Sequence, residues 1–178
     1  MKRYLISLMI GCTLVLTACL SPPEKDHDSY FYSIPVGSKL SLNKTITIPA
    51  YLARRYFQGG RPINKKDINI YYPHCSLLMN TLADYERTIK PATFEIYKVM
   101  DDEVYAQGHI YVVANILTGN DGPTIVGYVS YYYLRSTENA EVRSLECEQW
   151  DDPHNVQYLS INQVKQSLGD YFTLQITD

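Results

Sequence analysis

Cys75 follows His74, and Asp151, Asp152 and His154 stand around Pro153. These are the positions whose residue types and spacing could do chemistry. A cysteine beside a histidine is the raw material of a thiolate nucleophile. Catalytic partners, however, meet in space rather than as chain neighbours, and adjacent residues on a strand point to opposite faces. Asp151, Asp152 and His154 offer two carboxylates and an imidazole, an oxygen–nitrogen set that suits a divalent metal. An acidic pair next to proline is also ordinary turn composition, and we read it as the turn. His27 lies among acids in a polar stretch, a poor place for a metal site. No Gly-rich phosphate loop follows a strand and no zinc-spaced cluster occurs. We therefore expect no catalytic residue, no cofactor and no metal, and rank a hydrolase or metal enzyme last.

Tyrosine is the more unusual feature, with 17 in the chain. Tyr128, Tyr131, Tyr132 and Tyr133 fall in one strand-like segment. Period two puts Tyr131 and Tyr133 on one face and Tyr128 and Tyr132 on the other. A tyrosine has a large apolar body and a polar tip, which suits protein interfaces and sugar or peptide grooves. These four are the expected interaction surface. Aromatic cross-strand packing is the plainer explanation and the favoured one. Trp150, beside Cys147, is expected in the core.

The elements that must hold these residues read as short strands. Tyr30-Phe31-Tyr32-Ser33-Ile34 is a strand-like run, broken by Pro35 and Gly37. Lys39-Leu40-Ser41-Leu42 and Lys44-Thr45-Ile46-Thr47-Ile48 alternate polar and apolar, as half-buried strands do. Residues 51–57 suit a strand or one helical turn, ended by Gly59-Gly60, and Lys65-Lys66-Asp67 is a turn. Residues 68–72, 75–82, 94–100 and 142–150 are further strand-like runs, with Pro73 marking a bend or edge. The clearest hairpin pairs 109–113 with 125–129 across the turn-rich 118–123. One helix, about 160–168, has Ser160 as N-cap, Gln163 as capping-box partner and Gly169 just past its end. Residues 171–176 close the chain as a strand. The fold class expected is mainly β: one antiparallel sheet, barrel or sandwich, with one C-terminal helix.

Ahead of this domain, Lys2 and Arg3 precede a charge-free run from Tyr4 to Leu16 that ends in Leu16-Thr17-Ala18-Cys19. A basic start, a short apolar stretch and small residues at its end form the layout of a secretory signal. The run falls short of the roughly 20 apolar residues that span a bilayer. Ser21-Pro22-Pro23 would sever a buried helix from the rest of the chain. The four residues ending in Cys19 resemble the lipobox of bacterial lipoproteins. That resemblance implies cleavage before Cys19, a diacylglycerol on its thiol and an acyl chain on its amine. One acyl chain holds a protein only marginally, whereas two or three hold it stably. Leu20, where aspartate is the usual inner-membrane retention signal, implies an outer-membrane protein facing the periplasm in a Gram-negative host. The expected division is residues 1–18 as signal, 19–29 as lipidated tether and 30–178 as a single domain.

Of the four cysteines, Cys12 leaves with the signal and Cys19 takes lipid. Cys75 and Cys147 remain, an even pair in an oxidising compartment, where a disulfide is the default. Losing Lys2 and Arg3 leaves 14 basic against 19 acidic residues, a net charge of −5. A mildly acidic chain with scattered basic residues argues against a nucleic-acid partner. The segments Ile34-Pro35-Val36-Gly37-Ser38, Tyr72-Pro73-His74-Cys75 and Cys147-Glu148-Gln149-Trp150 resemble uncharacterised lipoprotein-like proteins of proteobacteria, which implies no activity. The leading expectation is a non-enzymatic, lipid-anchored binding or assembly domain whose partner is another envelope protein or a glycan. A small-ligand barrel for a lipid, glycan or peptidoglycan fragment is the alternative.

Overall fold

Alternating side chains turn most of the chain into strands. A computed structural model describes residues 26–105, 125–155 and 157–177. Its strands are β1 (Lys39–Leu42), β2 (Ile46–Ile48), β3 (Arg54–Gln58), β4 (Arg61–Ile63) and β5 (His74–Met79). They continue as β6 (Arg87–Ile89), β7 (Ala92–Tyr105), β8 (Val126–Arg135), β9 (Val142–Asp151) and β10 (Phe172–Gln175). The helix α1 is Ile161–Leu168. Eight strands form one antiparallel sheet in the order β10-β1-β7-β8-β9-β5-β3-β4, and β2 pairs with β6 apart from it. The sheet curls into a half-barrel, and the single helix among the described residues lies near the C-terminus, as the sequence predicts.

The curl brings distant strands of the sheet together. The Phe57 ring on β3 meets Phe172 on β10 edge to face, with centroids 5.3 Å apart, and Tyr171 at 5.7 Å. Helix α1 packs against β3, β5 and β10, filling the space between them. Its Ile161, Val164 and Leu168 join a core that includes Leu40, Phe57, Leu77, Phe94, Ile96 and Leu145. The expected capping box is formed: Ser160 Oγ accepts from the Gln163 N–H, and Gln163 Oε1 accepts from the Ser160 N–H. Gly59 and Gly60 form the two-residue turn between β3 and β4, both at positive φ, as a type I′ turn demands. Gly60 then donates its N–H to the Ser167 carbonyl, so the turn docks on the end of α1.

Several elements differ from the sequence expectation. Residues 30–34 and 68–72 form turns and irregular chain rather than strands, and β4 and β6 were not anticipated. The expected hairpin of 109–113 with 125–129 is corrected. Tyr128 and Val129 pair with Glu103 and Asp102 on one side and with Gln149 and Glu148 on the other, so both edges are taken. Strand β7 runs five residues past Met100 because one side of it faces solvent, where Asp101, Asp102 and Glu103 are tolerated. Residues 109–113 lie outside the described residues, as do the lipobox and Cys19. At the start of the described chain, Asn162 donates its N–H to the His27 carbonyl and its side-chain amide to Asp28. The segment expected to be a tether thus reaches the domain at the N-terminal end of α1.

Candidate functional site

Strand period sorts the tyrosines of β8. Val126, Tyr128, Ser130, Tyr132 and Leu134 point into the curl, and Gly127, Val129, Tyr131, Tyr133 and Arg135 point outward. Tyr128 and Tyr132 are each 1% exposed. They cannot belong to a surface, so the expected four-tyrosine patch contracts to Tyr131 and Tyr133. Burial pushes the Tyr132 phenol far above its ordinary value, and a hydrogen bond with Ser130 offsets only part of that. Tyr128 stacks edge to face on Tyr158, with centroids 5.6 Å apart.

On the outward face, β7 and β9 supply neighbours that sequence reasoning missed. Met100 lies opposite Tyr131 and Lys98 opposite Tyr133. A bulge between Ile96 and Lys98 adds Tyr97, whose ring sits 6.3 Å from that of Tyr133. Lys98 Nζ lies 4.9 Å from the Tyr133 ring centre, and the Arg135 guanidinium 5.5 Å from that of Tyr97. Arg135 also pairs with Glu95 at 3.0 Å. On the other flank, Tyr131 faces Glu146, which accepts from Arg54 Nη1 at 2.8 Å. Burial raises the Tyr131 phenol above its ordinary value, with Glu146, Asp102 and Glu148 adding to the effect and Arg54 opposing it. Tyr56, also raised chiefly by burial, stands close enough to Arg54 to feel its charge. A depression of about 290 Å³ opens beside Tyr97 and Arg135, with Asn80 and Arg143 on its rim.

This face offers phenol hydroxyls, apolar ring faces and cations already seated on two of the rings. Of its acids, Glu146 and Glu95 are held by arginines. Counting by twos separates Tyr131 and Tyr133 from the inward residues, but Met100 and Lys98 join them only through the β7–β8 register. The bulge that brings in Tyr97 has no sequence signal of its own.

The other chemistry-bearing residues fall elsewhere. Cys75 and Cys147 lie directly opposite each other on β5 and β9 and are joined as a disulfide, both fully buried. His74 points outward, on the face away from Cys75, with Nδ1 3.0 Å from the Tyr72 carbonyl and Nε2 3.0 Å from Glu148 Oε1. Histidine and thiol are thus divided by the sheet. Asp151 and Asp152 spend a carboxylate oxygen each on local turn N–H groups, Asp152 accepting from His154 at 2.8 Å. No cluster of three His, Cys, Asp or Glu among the described residues is arranged to hold a metal. Trp150 is corrected from the expected core position: three steps from inward-facing Cys147, it points outward and lies over Gly127. Compared with known proteins, the chain matches no family model, no curated protein and no solved structure.

Proposed function

We propose that this chain is a lipid-anchored protein of the bacterial cell envelope whose domain acts by binding another envelope protein through the outward face of β7 and β8. The observation that carries the binding half is that face itself. Tyr97, Tyr131, Tyr133 and Met100 gather on two adjacent strands with Lys98 and Arg135 over the rings. Aromatic residues, methionine and arginine are the types enriched where proteins meet. The anchoring half is supported by Leu16-Thr17-Ala18-Cys19 at the end of a charge-free apolar run, and Leu20 favours the outer membrane.

The test is a photo-crosslinking amino acid placed at Tyr133, in cells expressing the full chain, with the same group at Thr88 on the separate β2–β6 ribbon as control. A discrete, reproducible adduct from Tyr133 and none from Thr88 is the expected result. Equal adducts from both positions, or none from Tyr133, would refute the proposed face.

A further inference from the structure

Strand β7 is longer than the strand that pairs with its far side. Strand β1 pairs only with 92–95, and the Gly37 and Ser38 backbone extends that contact to Ile96. From 97 to 105 β7 bonds to β8 alone, and no described residue pairs with its other edge. Alternate residues there turn their N–H and C=O groups outward, which is a template for an added strand. This edge borders the Tyr97–Met100 side of the aromatic face, so the two features are continuous.

Charge decides what fits. Asp101, Asp102 and Glu103 sit together in this edge, and among the described residues no cation pairs with them. Asp101 accepts from Ser130 Oγ at 2.6 Å and Glu103 from the Tyr105 hydroxyl at 2.8 Å, both neutral donors. A second copy of the chain added antiparallel about the middle of this segment would set acid against acid, which is unfavourable across a strand pair. A lysine- or arginine-bearing strand would place opposite charges there instead. We infer that this edge of β7 at 97–105, unpaired among the described residues, takes up an extended, basic segment of a partner protein by strand addition. The inference rests on the protein-binding reading above and names the kind of segment recognised.

The probe is a synthetic peptide as long as this edge, alternating lysine and threonine. One control peptide has glutamate for lysine, and a second keeps the lysines but carries N-methyl groups on successive amides, so that neither of its edges can donate. Hydrogen exchange of the full lipidated chain in detergent micelles is followed by mass spectrometry. The lysine peptide should slow exchange within 97–105, and neither control should do so. Asp102→Lys, which among the described residues gives up only a bond to its neighbour's N–H, should weaken the lysine peptide about tenfold by replacing attraction with repulsion. Protection by the N-methylated peptide as strong as by the parent, or no protection at 97–105, would overturn strand addition. So would protection that appears without peptide and grows with protein concentration, which would mean pairing between copies. An adduct at Tyr133 together with an unprotected edge would leave the protein-binding reading standing without strand addition, whereas loss of both would end both.

Discussion

Gly127→Ala should destabilise the domain, and the same change should stabilise it once Trp150 is removed. Gly127 lies opposite Trp150 on the outward face of β8 and β9. A Cβ built on Gly127 would stand 2.8 Å from Trp150 Cε2, 3.1 Å from Cζ2 and 3.2 Å from Cδ2. These are ring atoms at the base of a rigid indole, so the whole side chain must tilt away. Overpacking of this kind costs about 1–3 kcal/mol. Against it, replacing glycine by alanine in a strand gains about 0.5–1 kcal/mol from reduced chain entropy. The net is about 1 kcal/mol of lost stability in the parent protein. In Trp150→Ala the obstacle is gone, and only the gain of about 0.5–1 kcal/mol remains. The coupling between the two sites is then about 2 kcal/mol, within the range seen for residues in contact. Urea unfolding of the four proteins of the cycle, with the disulfide intact, measures it. The same sign and size for Gly127→Ala in both backgrounds would refute the idea that the indole lies on this glycine.

Three further outcomes rest on the same geometry. Gly169→Ala should be the more damaging glycine change, about 3 kcal/mol or more. Its Cβ would fall 2.5 Å from the Gly60 Cα, a backbone atom, at a residue with φ +57°, and the drop in thermal midpoint checks it. Replacing Cys75 and Cys147 by serine should remove roughly 4 kcal/mol, since the bridge closes a 72-residue separation; a non-reducing mass two daltons below the reduced one reports the bond. Alkaline pH should unfold the protein cooperatively. The phenol of Tyr132 is held neutral by burial to a value well above its ordinary one, while in the unfolded chain it ionises near pH 10. Above about pH 10 the unfolded state therefore binds fewer protons, and stability falls as pH rises toward the folded value. Tyrosinate absorbance and circular dichroism should change together, and full ionisation without unfolding would contradict the buried position of Tyr132.

Where local chemistry decides the structure, the sequence is a good guide. Ser160, Gln163 and Gly169 mark both ends of α1 because caps are made by residues close in the chain. Alternation marks β1, β2 and β10, and two cysteines left over from the expected signal and lipid site point to the Cys75–Cys147 pair. What the sequence hides depends on distant partners. Residues 30–34 have strand composition but find no strand to pair with among the described residues. Residues 101–105 carry three successive acids and no hydrophobic alternation, yet they pair with β8, because an exposed stretch of strand needs none. The candidate surface was half visible. Parity separates Tyr131 and Tyr133 from Tyr128 and Tyr132, whereas Tyr97, Met100 and Lys98 join them only through the β7–β8 register and its bulge.

Everything proposed about partners depends on the domain being tethered at the envelope, and the lipid on Cys19 is the direct measure of that. Cells fed labelled palmitate should incorporate it into the wild-type chain, whose intact mass should correspond to a protein beginning at Cys19 and carrying acyl chains. Cys19→Ala should accumulate as an unlabelled precursor of higher mass that still forms the Cys75–Cys147 bond. Labelled mature protein from Cys19→Ala, or an unlabelled wild-type chain that retains residues 1–18, would contradict the account.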